Sequence, residues 1–258
     1  MKRPIPLLAV LLLAACSGVG ATVPNPPPPQ ASASPSSVVL PPTVVPSAGP
    51  APHDFSALDT GVKVPGSSIL IFRRPRDNAS SRNMVAHNPM GEKLVFLALD
   101  SIERAGSTWY QILMPRRPNG STTWVKQDDG LKVVVLQERI EIDLSTYTLK
   151  RFIDGHLVGR FKVGVGMPYW PTPTGTFYVW AHVPQASPTG PYGAYALGLS
   201  GFSDVLTDWP GGGRFAIHGT PYRANTGRKV SHGCIRVFNP DVMTLKDVPL
   251  GTPVIITR

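Results

Sequence analysis

Cysteine is nearly absent from this chain: Cys16 and Cys234 are the only two. Charge is thin as well, at 16% of residues, and it is lopsided, with 25 Lys and Arg against 16 Asp and Glu. Stretches long and periodic enough for a substantial helix are hard to find. The 29 prolines and 25 glycines instead favour short strands and many turns. No internal repeat is visible, and no apolar run after the first residues is long enough to cross a membrane. The formal charge of +9 would suit a polyanionic partner. Apart from Arg73-Arg74-Pro75-Arg76 and Arg116-Arg117, however, the basic residues are scattered. No recognition helix or aromatic-interleaved basic stripe is present, so no nucleic-acid partner is expected. Anionic wall polymers or lipid head groups are the counter-surface this charge suits. The length, 258 residues, suits two modest domains.

The amino terminus indicates where the protein works. Lys2 and Arg3 precede an apolar run too short to span a bilayer, which ends in Leu13-Ala14-Ala15-Cys16. This resembles a bacterial lipobox, with residues 1–15 as the signal peptide and Cys16 as the acylated first residue of the mature chain. The resemblance implies an exported lipoprotein facing the cell wall and anchored in the membrane through Cys16. Residues 16–55 carry eleven prolines among Ser, Ala and Gly. Such a segment buries too little apolar surface to offset its ordering entropy and reads as a disordered tether. Extended at about 3.1 Å per residue, it would reach on the order of 100 Å. With Cys16 lipidated, Cys234 has no disulfide partner, and an exported lone thiol needs a reason to persist.

From 56 to 132 short apolar runs alternate with turn signals such as Asn88-Pro89, Arg117-Pro118-Asn119-Gly120 and Asp129-Gly130, as in a small β-barrel. "TWYQILMPRRPNGSTTWV", residues 108–125, resembles bacterial Src-homology-3-like domains, with Trp109 and Trp124 expected in the core. From 133 to 258 the pattern stays mainly β. "IEIDL" alternates, Asp154-Gly155 marks a hairpin, and "TPTGTFYVWAH", "RFAIHG" and "PVIIT" supply further strands. A single helix is expected from an Asn239 cap, with Pro240 in its first turn, to about residue 248.

Chemistry concentrates around Cys234. The thiolate is the nucleophile, and a free cysteine is mostly thiol at neutral pH, so an imidazole must take the proton. His218 and His232 are both at hand. If residues 231–235 are extended, His232 and Cys234 share a face, whereas His218 must be brought in by the fold. Gly219 and Gly233 each follow a histidine and permit close backbone approach. An amide at Gly233 or Cys234 could meet a developing oxyanion. Residues 219–230, including Tyr222, read as a loop over the site, and "MPYWPTPTG" and "SPTGPYGAYALG" as loops that could exclude water.

His218-Gly219-Thr220 followed by Ser231-His232-Gly233-Cys234-Ile235-Arg236 resembles the signature of the L,D-transpeptidase (YkuD-type) catalytic domain, with "TPTGTF" and "NPDV" in matching places. The resemblance implies a β-sandwich-like domain over 133–258 that acts on peptidoglycan stem peptides through a cysteine acyl-thioester. It would form 3→3 cross-links or attach another amine acceptor, without a cofactor or metal. It implies Cys234 as nucleophile, His218 as general base and acid, and the Gly219 carbonyl orienting the His218 ring. His232, Gly233 and Ser231 would support the site, and Arg236 and Tyr222 would contact substrate. Many relatives carry asparagine where this chain has Arg236. Two alternatives within the wall remain: water as acceptor, giving a carboxypeptidase or endopeptidase, or a non-catalytic wall-binding lipoprotein. A zinc site from His218, His232 and Cys234 lacks the paired-ligand spacing of such sites.

Overall fold

The structure is a computed structural model and describes residues 58–128, 130–208 and 211–258. The expected signal peptide, the expected tether and Cys16 lie outside the described residues. What is described is mainly β, as expected, and falls into two sheets within one compact unit.

The first sheet comprises β1 (Thr60–Lys63), β2 (Ser68–Phe72), β3 (Ser81–Val85), β4 (Val95–Arg104), β5 (Ser107–Leu113), β6 (Thr122–Lys126) and β7 (Lys132–Val135). Its order is β3-β2-β6-β5-β4-β1-β7, antiparallel throughout. Its core gathers Val62, Ile71, Phe96, Leu97, Ile112 and Val125. Trp109 is buried, with the Phe72 ring edge-on at 5.0 Å, while Trp124 is only half-buried.

The second sheet comprises β8 (Glu138–Asp143), β9 (Thr148–Ile153), β10 (His156–Gly166), β11 (Gly175–Pro184), β12 (Tyr195–Phe202), β13 (Arg214–Thr220), β14 (Lys229–Ser231), β15 (Ile235–Phe238) and β16 (Pro253–Thr257). Its order is β14-β10-β15-β13-β12-β11-β16-β8-β9, and β9 also pairs with β10. The sandwich-like half is therefore a single sheet whose edges meet, closing eight strands into a barrel. Closure leaves only the short β14 outside the ring and encloses a core of Ile140, Leu149, Val163, Leu197, Ile217, Ile235 and Val237.

Strand β11 joins the two cores. Its pleat sends Phe177 and Val179 into the barrel, while Tyr178 and Trp180 pack against the first sheet. The helix differs from expectation. α1 covers only Asn239–Met243, Phe238 occupies the cap position, and Asn239 lies inside the first turn. Beyond it, Leu245 N–H bonds to Val242 O and Val248 N–H to Leu245 O. This tighter three-residue repeat puts Val242, Leu245 and Val248, all fully buried, on one line against the barrel, which the α-helical pitch would not do.

Ile217→Ala, at the centre of the barrel, is expected to cost about 2–5 kcal/mol in denaturant unfolding. Val158→Ala, on the exposed β9–β10 hairpin, should stay within about 0.5 kcal/mol. Similar losses for both would contradict a closed barrel core.

Candidate active site

β13 and β15 run parallel, with Ile217 opposite Ile235 and His218 opposite Arg236. Ile217, Ile235 and Val237 point into the barrel core. The pleat therefore turns His218 and Arg236 to the other face. Cys234 stands immediately before β15, and it lines one cavity together with His218, Arg236, Ser231 and His232. The fold thus brings His218 to Cys234 from the neighbouring strand.

The approach to Cys234 is bent rather than extended. β14 runs parallel to β10, whereas β15 runs antiparallel to it, so the chain must turn across the end of β10 between Ser231 and Ile235. Gly233 makes the bend at φ 111°, a conformation that L side chains avoid. Ser231 clips it shut: its buried Oγ accepts the Gly233 N–H at 3.1 Å and donates to the Cys234 carbonyl at 2.5 Å. This bend replaces the shared strand face expected for His232 and Cys234. His232 is instead set by Trp170, whose ring lies 4.3 Å away at 42°.

His218 is buried, and its Nδ1 lies 2.8 Å from the Gly219 carbonyl. A carbonyl only accepts, so Nδ1 carries the proton and Nε2 is left as the basic nitrogen. The Tyr192 ring meets the imidazole edge-on at 5.2 Å. Burial is the main reason the His218 pKa falls to about 4. The Arg236 charge adds to the fall, while hydrogen bonds to the backbone at Gly219 and Tyr192 oppose it. Burial also pushes the Cys234 thiol up, against smaller lowering contributions from the Ala216 backbone and Arg236. Both shifts favour the uncharged forms, thiol and neutral imidazole.

The residues expected at the site are mostly assembled there, with two differences. Tyr222 is exposed, just before a short helical turn at Arg223–Asn225, and does not line the cavity; Tyr192 is the tyrosine that does. The bareness of Gly219 serves the protein's own backbone. A Cβ there would lie 2.4 Å from Asn239 Oδ1 and 2.8 Å from Ala194 N. Asn239 explains that crowding: its Oδ1 accepts the Ala194 N–H at 3.0 Å and its Nδ2 donates to Pro188 O at 2.7 Å. It pins the 188–194 loop, and with it Tyr192, over His218. In sequence Asn239 showed only as a cap, because the loop it holds is far away in the chain. Arg236 is half-buried, and its buried Nε has no hydrogen-bond partner. Among the described residues, no three His, Cys, Asp or Glu side chains gather closely enough to hold a metal ion.

A thiol and an oriented imidazole lining one cavity are groups able to carry out acyl transfer to sulfur. The family model of the YkuD-type L,D-transpeptidase catalytic domain matches residues 137–256, the barrel and its site. The putative L,D-transpeptidase YkuD of Bacillus subtilis is 37% identical over 120 residues, covering 46% of this chain and 65% of that protein. The putative L,D-transpeptidase YqjB of the same organism is 32% identical over 127 residues, covering 45% of this chain and 69% of that protein. The solved catalytic domain of an Enterococcus faecium L,D-transpeptidase is 26% identical with a TM-score of 0.37, covering 47% of this chain and 98% of that one. The chain belongs to the L,D-transpeptidase family. It spans about two thirds of the length of the Bacillus relatives it matches.

Two pH dependences are expected. Alkylation of Cys234 by iodoacetamide should climb through the ordinary thiol range, about pH 8.5, and beyond. A plateau reached below pH 7 would show a resting ion pair instead. For folding, His218 is neutral in both states above about pH 6.5. Below that the unfolded chain takes a proton that the folded protein refuses until about pH 4. Stability should therefore fall by about 3 kcal/mol as pH drops across that window. Urea titrations of His218→Gln, compared with the parent, should lack this component; parallel pH curves would refute it.

Proposed function

We propose that the protein is a cysteine-dependent L,D-transpeptidase acting on peptidoglycan stem peptides. The observation that carries the reading is the parallel register of β13 and β15, which sets a Gly219-oriented His218 beside Cys234 on one cavity wall.

The Cys234 sulfur attacks the carbonyl that follows the L-centre of the donor's diamino acid, and His218 Nε2 accepts the thiol proton. The Gly233 amide is held by Ser231, so the Cys234 amide is the donor left for the oxyanion. Collapse breaks the carbon–nitrogen bond. His218 returns the proton to the departing D-alanine amine, leaving an acyl-thioester on Cys234. An amine on a second stem then attacks the thioester, giving its proton to His218 and restoring the thiol. An amine acceptor makes a 3→3 cross-link, and water would make a carboxypeptidase of the same site. Arg236, with an unpartnered Nε at the cavity, suits a donor carbonyl or carboxylate. In the same reading Cys16 bears the lipid, and the Pro-rich stretch lets the barrel reach the wall from the membrane; the positive n-region and short apolar run support this.

The test is covalent trapping. Protein lacking residues 1–55, mixed with a stem tetrapeptide and quenched in acid, should gain the mass of the tripeptide acyl group on Cys234. Cys234→Ala should show no adduct. His218→Ala should slow acylation by about 10²–10⁴-fold, and His156→Ala, on the exposed hairpin, should leave it unchanged. An adduct that survives Cys234→Ala, or equal rates for the two histidine variants, would overturn the assignment.

A further inference from the structure

Part of the cavity that Cys234 lines is built by the chain between β12 and β13, through Leu206 and Gly213, and by Arg214 at the start of β13. Little of this wall packs into the barrel: Asp204, Val205, Thr207 and Asp208 are exposed or nearly so. Its internal support is modest. Ser203 Oγ accepts the Val205 and Leu206 amides, and Ser203 N–H reaches Gly213 O at 2.7 Å.

The rest of the support comes from the first sheet, through the turn between β5 and β6. Arg117 donates from Nη1 to Ser203 O at 2.6 Å, and from Nη2 to Leu206 O and Gly212 O, each at 3.0 Å. Its guanidinium also lies 5.0 Å above the Phe202 ring. Asn119 grips Phe202 in both directions: its Oδ1 accepts the Phe202 N–H at 2.9 Å and its Nδ2 donates to the Phe202 carbonyl at 2.7 Å. From the barrel side, Arg214 reaches back to Pro115 O at 3.1 Å and lies between the Trp180 and Phe202 rings at 3.8 and 4.2 Å. Burial lowers the Arg214 pKa only to about 10, so it stays charged at neutral pH. Arg117 thus ties the outgoing stretch, at Ser203 and Leu206, to the returning one, at Gly212. Three carbonyls converging on one side chain need several donors in a fixed plane, which guanidinium has and an ammonium lacks.

We infer that Arg117, backed by Asn119, is a positioning residue for the substrate site: the first sheet holds a wall of the cavity that Cys234 also lines, and so takes part in shaping the donor groove. The kinetic half of this inference rests on the acyl-transfer reading, and the structural half does not.

The experiment pairs hydrogen exchange with steady-state kinetics on the protein lacking residues 1–55. In Arg117→Ala, amides of 203–208 and 211–213 should exchange roughly tenfold faster, with those of β13 and β15 unchanged. KM for a stem tetrapeptide should rise roughly tenfold, while the iodoacetamide rate at Cys234 stays within about twofold. Arg117→Lys should recover part of the KM and Asn119→Ala should reproduce the effect more weakly; if Arg117→Ala does not fold, Asn119→Ala carries the test. Unchanged exchange in this wall would overturn the inference, as would faster exchange with unchanged KM. Equal loss of KM, alkylation and thermal stability would make the contact merely structural and overturn it too. If the parent turns over no tetrapeptide, the transpeptidase reading fails, and faster exchange confined to 203–213 would still support the clamp.

Discussion

The parallel pairing of β13 with β15 is the constraint on which the rest of the site depends. It places Arg236 opposite His218 and leaves Cys234 at the mouth of the same face, while Ile217, Ile235 and Val237 anchor both strands in the barrel. A slip of one residue would turn His218 into the hydrocarbon and Ile217 towards the substrate. The register is therefore held by the same apolar burial that stabilises the barrel, and no hydrogen bond between His218 and Cys234 has to hold it. The bend at Gly233 and the Ser231 clip then fix where the sulfur emerges.

Burial also sets the chemistry of the pair. An imidazole facing a carbonyl rather than a carboxylate keeps its tautomer without gaining a counter-charge, and burial favours the uncharged form of both it and the thiol. In the proposed acyl transfer, proton transfer would then be coupled to attack on the substrate carbonyl. A thiol kept protonated also resists oxidation, which acts on the thiolate.

The pocket is enclosed by parts that sequence order keeps far apart. Asn239 pins the loop that carries Tyr192, Trp170 braces His232, and Arg117 and Asn119 hold the remaining wall from the first sheet. β11, feeding alternate side chains to both cores, locks the two halves together. The candidate site of this barrel is thus lined by the second sheet and its loops and braced in part by the first.

Much of this was legible in the chain. The mainly β composition, the hairpin at Asp154-Gly155 and the strand through "RFAIHG" all follow from local pattern. Ser231-His232-Gly233-Cys234 with an upstream His218-Gly219 marked the site, because nucleophile chemistry needs those residue types close together. Strand β12 was hidden: Ala196, Leu197, Leu199 and Ser200 are buried on both its faces, so "YALGLSGF" shows no alternation and reads as a glycine-rich loop. The bend before Cys234, the exposure of Tyr222, and the roles of Tyr192, Asn239 and Arg117 were decided by the tertiary structure alone. Local pattern records which faces a segment buries and which bonds its own neighbours can make. Contacts between residues such as Arg117 and Leu206 exist only once closure of the barrel has fixed which distant backbone carbonyls lie within reach.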